Sequence, residues 1–293
     1  MSQHDSMDLD HYSVTARPLA DGDLPRLHEL TVGVGWPHRT EDLRLLMSVA
    51  QGYVACDEIG RVSGSALWFP MGDGAASIGM VITTPRMQSR GAGRWLMELV
   101  LRDAGDREIV LNATPQGIRL YEQLGFHTTQ IGHQRQGEAL LPPPAPPPAG
   151  LTLRALTPAD LPALLALDRA ATGHDRQAAL NAVLPLSDGV GLEDGSGALV
   201  GYALSRMFGR GQLIGPLVAR TDAEAMALAA HFVTAHAGQF LRLDTLVLDG
   251  PFAGFLDRCG LPVAGSMTHM WLNRRPRAAT DQRSYAMISQ ALN

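Results

Sequence analysis

Apolar and polar positions run through this chain in two rounds of the same order. In the first round, Ser13–Leu19 reads as a strand, and Asp23-Leu24-Pro25 opens a helix, since proline is tolerated in a first helical turn. The apolar spacing of RTEDLRLLMSVA (Arg39–Ala50) predicts a second helix with Thr40 as its N-cap. Strands are predicted at Gly52–Cys56, Val62–Phe69 and Ala76–Thr83, the last two joined by a hairpin turn at Gly72-Asp73-Gly74. The turn QSRGAG (Gln88–Gly93) then leads into a helix from Gly93 to Ala104, whose Leu96, Leu99 and Val100 share a buried face. A strand at Ile109–Asn112, a helix at Gly117–Leu124 and a closing strand after Gly125-Phe126 complete the round.

From Leu151 the order repeats, and identities keep register with it. Arg17, Asp23, Leu24, Pro25, Leu27 and Leu30 align with Arg154, Asp160, Leu161, Pro162, Leu164 and Leu167. IGMV at Ile78 faces IGPLV at Ile214, and YEQLGF at Tyr121 faces LDRCGL at Leu256. Three islands in one order at nearly constant offset indicate a duplicated unit. Pro142–Pro148 contains six prolines in seven residues, a polyproline II spacer between the copies. The expected division is residues 1–140, a linker at 141–150, and residues 151–293. The fold class is α+β: two tandem domains, each a mostly antiparallel sheet flanked by helices around its own core.

Composition narrows the function. The 293 residues are 45% hydrophobic and 18% charged, with net charge −5 and no basic block, which argues against a nucleic-acid partner. No apolar run reaches the ~20 residues of a membrane span, and the polar, acidic start MSQHDSMDLDHYS lacks the regions of a signal peptide. A cytoplasmic protein is expected, monomeric or homodimeric. The two cysteines, Cys56 and Cys259, make no metal site on their own, and no metal is expected from His174, Asp175 and His269. Met267, His269 and Trp271 alternate as strand residues that pack or line a cleft.

The chemistry is concentrated in QSRGAG. A glycine turn between a strand and a helix exposes amides at the positive end of the helix dipole, which is an anion site. Arg90 and Arg94 add charge beside it. The Gly-Lys-Ser/Thr ending of a Walker loop is missing, and Leu96 stands where a dinucleotide fingerprint needs its third glycine.

VITTPRMQSRGAGRWLMELVL resembles motif A of the GNAT superfamily of acyl-CoA N-acyltransferases, with Gln88, Gly91 and Gly93 on its Q/R-x-x-G-x-G/A pattern. LYEQLGF (Leu120–Phe126) resembles that family's motif B. The resemblance implies acetyl-CoA as donor and direct attack by an amine; that the acceptor is a small molecule is suggested by the lack of a long acidic or basic docking surface. It places the pyrophosphate on Gln88, Ser89, Arg90, Gly91, Ala92, Gly93 and Arg94. It places pantetheine beside Met80, Val81 and Ile82, with Asn112, Thr114 and Gly117 also on the cofactor. Thr114 stands where many members carry asparagine. Tyr121 is the implied general acid, and the amide of Val81 or Ile82 the implied oxyanion donor. Trp36 and His38, between the first two helices, shape the acceptor site. The base is open among His38, Glu29, Glu41 and His133. A non-catalytic acyl-CoA sensor is the alternative.

In the second copy, Glu224, Ala227 and Ala229 replace Gln88, Gly91 and Gly93, and Leu256 replaces Tyr121. Thr221 or Asp222 caps a helix with no glycine turn. The second copy is therefore expected to have lost the donor site. It is expected to cover the acceptor side of the first through Met267–Trp271 or the Arg206–Gly211 turn.

Overall fold

A computed structural model describes residues 6–9, 12–88 and 90–293. A short strand, β1 (Ser6–Leu9), precedes the first copy. That copy runs β2 (Tyr12–Pro18), α1 (Leu24–Gly33), α2 (Thr40–Val49), β3 (Gln51–Asp57), β4 (Val62–Met71), β5 (Ala75–Thr83), α3 (Ala92–Ala104), β6 (Glu108–Ala113), α4 (Ile118–Gln123) and β7 (His127–Glu138). The second copy runs β8 (Leu151–Ala155), α5 (Leu161–Thr172), α6 (Gln177–Val183), β9 (Asp188–Asp194), β10 (Leu199–Phe208), β11 (Gly211–Ala219), α7 (Asp222–Ala235), β12 (Phe240–Thr245), α8 (Gly250–Arg258) and β13 (Val263–Leu272). One further strand, β14 (Arg283–Ala286), follows. The internal repeat is visible in three dimensions. Arg17 pairs with Asp23 at 2.6 Å and Arg154 with Asp160 at 2.7 Å, and each aspartate also accepts a backbone N–H ahead of its helix.

The two copies do not form separate sheets. The strand order is β1-β2-β3-β4-β5-β6-β13-β7-β12-β11-β10-β9-β8, with β14 on β11. β13 of the second copy lies between β6 and β7 of the first, pairing Thr268 with Ala113 and Met267 with Gly132. β7 in turn lies against β12, pairing Phe240 with Glu138 and Thr245 with His133. Each copy thus completes its sheet with the last long strand of the other. Both copies are joined through antiparallel ladders, which leave no free edge at the centre.

The expectation of one core per copy is met but incomplete: one buried cluster surrounds Leu96, Met97 and Val100 of α3, another surrounds Leu228, Phe232 and Val233 of α7, and a third is shared between the copies. The shared cluster combines Leu27, Leu43 and Leu46 from α1 and α2 with Leu180 and Val183 from α6, Tyr202 from β10, and Ile288 and Leu292. The helices between the first two strands of each copy face each other across it. Each fully buried leucine is worth about 1.5–3 kcal/mol. The shared cluster therefore contributes substantially to holding the copies together. A second correction concerns α2. Its N-cap is Arg39, whose backbone is extended at ψ 165°, and the Asp42 carboxylate accepts the Arg39 N–H at 2.8 Å. Thr40 is already inside the first turn.

Candidate active site

Among the described residues no side chain caps the start of α3. Its N-cap is Gly91, at φ +84°, with no side-chain cap and no acidic residue in the first turn. A left-handed cap suits glycine, and the first-turn amides have no intrahelical partner. Gln88 braces the turn by donating to the Thr83 carbonyl at 3.1 Å. Arg90 is exposed, and Arg94 is paired with Glu98 at 2.8 Å along the helix. Ala92 is buried against the sheet. Ser89 lies outside the described residues.

Beside this turn, β5 carries a bulge. Ser65 faces Ile82 and Leu67 faces Gly79, so that Met80 and Val81 together oppose Ala66. Met80 sits at φ +54°, unusual for a side chain with Cβ, and the Ser65 hydroxyl donates to its carbonyl at 2.7 Å. The parallel pairing of β5 with β6 stops at Ile78 and Leu111. Beyond that point a cleft of about 230 Å³ opens, lined by Met80, Val81, Asn112, Thr114 and Tyr121. Ile82 is buried in the core next to it.

Tyr121 is buried, its ring edge-on to Phe126 at 6.0 Å. Burial pushes its phenol up to about 12, so it stays protonated at neutral pH. A Cβ at Gly117 would stand 2.8 Å from the Tyr121 ring; glycine there gives the ring its place. The Asn112 side chain is committed to the protein. It donates to the Gln290 carbonyl at 2.9 Å, and its oxygen meets His269 Nδ1 at 2.9 Å. Trp271 Nε1 donates to His269 Nε2 at 3.0 Å, which puts the His269 proton on Nδ1.

The opposite wall is aromatic. His38 lies 5.9 Å from Trp36 and edge-on to Phe208 at 5.3 Å. Burial, with Arg242 and His28 adding to it against Asp42, lowers His38 to about 4, so its ring is neutral. Of the candidate bases only His38 lines the cleft. Glu29 is exposed and paired with Arg26, Glu41 is exposed, and His133 on β7 neighbours Gln134 of the cleft but is not itself among the residues that line it.

Two family models describe this architecture. One, the acetyltransferase (GNAT) family, matches residues 23–126, and the other, an acetyltransferase (GNAT) domain, matches residues 164–286. The chain belongs to the GNAT acetyltransferases. A Bacillus subtilis (strain 168) protein named as an uncharacterized N-acetyltransferase, YitH, is 27% identical over 76% of this chain and 81% of its own. Among solved structures, a candidate acetyltransferase of Pyrococcus horikoshii aligns with TM-score 0.76 at 18% identity over 95% of both chains. A tandem GNAT protein from the clavulanic acid biosynthesis pathway aligns with TM-score 0.62 at 17% identity, over 90% of this chain and all of that one. These two show a shared fold. The protein is thus an acyltransferase built of two GNAT domains in tandem.

The second GNAT domain is occupied by its own residues where the first is open. At the start of α7, Thr221 accepts the Glu224 N–H at 3.2 Å, and Glu224 accepts from the Arg220 N–H at 2.8 Å and pairs with its guanidinium at 2.6 Å. Leu256 is fully buried in place of Tyr121. β14 pairs with β11 at Leu217, Val218 and Ala219. Those positions correspond, at the repeat offset, to Val81, Ile82 and Thr83. The chain then crosses to the first domain, where Ser289, Gln290 and Ala291 line its cleft, together with Phe208 of the Arg206–Gly211 turn. The Met267–Trp271 stretch does not line that cleft; it reaches it through the bond from His269 to Asn112.

No motif marked residues 289–291. A faint signal lay in the repeat itself, because Gly79 and Gly215 are equivalent. A Cβ at Gly79 would stand 2.8 Å from the Ala291 Cβ, and one at Gly215 would stand 1.9 Å from the Met287 carbonyl oxygen. Both glycines are passages for this final segment.

Proposed function

We propose that the protein is an N-acetyltransferase that moves the acetyl group of acetyl-CoA onto the amine of a small molecule, using the first domain only. The observation that carries this reading is that the β5 bulge and Tyr121 line one cleft, with the uncapped start of α3 packed against α4 next to Tyr121, where a Cβ at Gly93 would touch Leu120, while their counterparts in the second domain are filled. The residues fit the donor. The first-turn amides of α3 after Gly91 form a cradle for pyrophosphate, with glycine at its left-handed position. Met80–Ile82, unpaired with β6, offers a strand edge to pantetheine. Asn112 and Thr114 form the far side, and Gly117 frees the ring of Tyr121.

Acetyl-CoA supplies an activated thioester when bound. Tyr121, held protonated, gives a proton to the leaving sulfur, a contribution of ~10²–10⁴ for a general acid. The amide of Val81 or Ile82 donates to the oxygen on which charge develops. A neutral His38 adds no repulsion to an incoming ammonium, and with Trp36 and Phe208 it shapes the acceptor side. The proton of that ammonium leaves through water.

A non-catalytic acyl-CoA sensor is the second reading. It is favoured by one observation: among the described residues no aspartate or glutamate lines the cleft. The two readings separate in one assay series. Acetyl-CoA binding is measured by calorimetry, and CoA release is then followed over a panel of amines. Acetylation of any amine above the water rate supports the enzyme. Tight binding with no turnover on the panel supports the sensor, and no binding refutes both.

A further inference from the structure

The cleft of the first domain has a polar corner that the acyl-transfer steps leave unused, and the second domain supplies it. Arg242 on β12 lines the cleft together with Phe208. Its guanidinium lies 5.1 Å from the centre of the Phe208 ring. Two of its nitrogens are engaged. Nε donates to the two Asp244 oxygens at 3.1 and 3.2 Å, and Nη2 donates to Asp244 Oδ2 at 2.8 Å. The remaining nitrogen, Nη1, makes no hydrogen bond within the described residues. Yet the Arg242 side chain is only 9% exposed, and that of Asp244 is fully buried.

The corner is held in place. Arg242 and Asp244 are two apart on one strand, so they project from the same face. Gln290 shares Asp244: its Nε2 donates to Asp244 Oδ1 at 3.3 Å and to Gln134 Oε1 at 3.1 Å. Those bonds fix the Gln290 amide, whose Oε1 is an acceptor that no described residue engages. The contact with Phe208 and the two-pronged pair with Asp244 leave the guanidinium little freedom, so its open edge is a preorganised donor. Buried polar groups are almost always paired, and a donor left open at a cleft marks a place where a ligand completes the set. The corner offers a hydrogen bond more than a charge, because Asp244 sits directly against Arg242. Arg206, the other arginine in this region, donates to the Gly215 and Ile288 carbonyls at 3.1 and 2.8 Å and does not line the cleft. An alkyl group placed in the corner would cover Nη1 without satisfying it, which is costly for a buried donor.

We propose that Arg242 determines acceptor specificity: it selects an amine that carries a carbonyl group, whose oxygen accepts from Nη1 while the amine faces the thioester. The carbonyl belongs to a carboxamide or a carboxylate, and a carboxamide also brings an N–H for Gln290 Oε1. This inference rests on the acyl-transfer reading for the place of the amine, and it assigns the reading of the acceptor to a residue of the second domain.

The test reads binding without turnover, by ligand-detected NMR titration of the full chain loaded with CoA. Glycinamide, glycine and isobutylamine are of equal size, as are β-alaninamide, β-alanine and isopentylamine, so that each set differs in the carbonyl. At least one carbonyl-bearing amine is expected to bind about tenfold tighter than its alkyl counterpart. Preference for the carboxamide or for the carboxylate names the group. The titrations are repeated on Arg242→Met/Asp244→Asn, which removes the buried pair together and leaves no lone charge, and on Asp244→Asn, which keeps Arg242. The preference is expected to vanish in the double variant and to persist in the single one, with acetyl-CoA affinity held in both. Equal binding of carbonyl-bearing and alkyl amines to the wild type, or an undiminished preference in the double variant, would overturn the proposal. CoA release from acetyl-CoA over the same amines is followed separately. A protein that shows the preference but acetylates none of them keeps the Arg242 site and loses the transferase reading.

Discussion

The two GNAT domains share a fold and differ in what fills it. Around α3 the first-turn amides are uncapped and the β5 edge is unpaired beyond Ile78. Around α7 a carboxylate sits at the helix start, and β14 has taken the strand edge. A tyrosine whose hydroxyl makes no hydrogen bond within the described residues stands in one; a buried leucine stands in the other. Duplication thus produced one half that keeps polar groups available for a ligand and one half that satisfies them internally. The second is the more self-sufficient solution, since an orphan amide or strand edge costs free energy unless water or a ligand meets it. Open groups in the first domain mark where a ligand contributes what the fold leaves undone.

The largest effect is expected from making the first domain resemble the second at one atom. Tyr121→Phe removes the proposed proton donor and keeps the ring that Gly117 accommodates. It is expected to lower kcat by ~10²–10⁴ with acetyl-CoA affinity retained. A kcat within a few-fold of wild type would reduce Tyr121 to the packing role that Leu256 has. Gly91→Val comes next. A β-branched residue at φ +84° is strained by about 1–3 kcal/mol, and its side chain crowds the amides proposed to hold the pyrophosphate. Acetyl-CoA binding, read by calorimetry, is expected to weaken about tenfold or more.

How much of this contrast was legible in the sequence can be judged residue by residue. Gly91, Gly93 and Tyr121 against Ala227, Ala229 and Leu256 were visible because glycine and a lone tyrosine at fixed spacing carry local meaning. The element order was legible from periodicity for the same reason. The strand exchange was not. β7 and β13 have the same apolar pattern whichever sheet they join, and pairing partners follow from long-range packing. The role of residues 289–291 was equally hidden, because Ser289, Gln290 and Ala291 form no motif and reach the cleft only through the packing of the final segment against β5. The N-cap of α2 was misread because Thr40 is a good cap by type, while Asp42 supplied the capping carboxylate from inside the helix.

A smaller effect is expected where the second domain reaches into the first. Gly79→Ala places a Cβ 2.8 Å from that of Ala291 and 3.0 Å from its Cα, so the final segment must shift. The expected outcome is a severalfold rise in acceptor KM, with acetyl-CoA affinity held. An unchanged KM would remove residues 289–291 from the acceptor wall.

A separate effect, on the fold and not on turnover, is the change of stability with pH. His38, His174 and His269 are each lowered from 6.5 to about 4 in the folded protein. The unfolded chain therefore binds more protons below pH 6.5, and stability falls as pH drops from about 6.5 to 4. Tm measured across that window is expected to decline, and His174→Gln is expected to flatten the decline. The same slope in the variant would show that His174 titrates normally.

The central claim is that one domain binds the donor and the other has filled its own site. The most direct measurement is the stoichiometry of acetyl-CoA on the full chain by calorimetry, repeated on Gly91→Val and on Glu224→Gln. The account predicts one acetyl-CoA per chain, weakened by Gly91→Val and unaltered in number and affinity by Glu224→Gln. Two acetyl-CoA per chain, or a site that survives Gly91→Val and responds to Glu224→Gln, would contradict it.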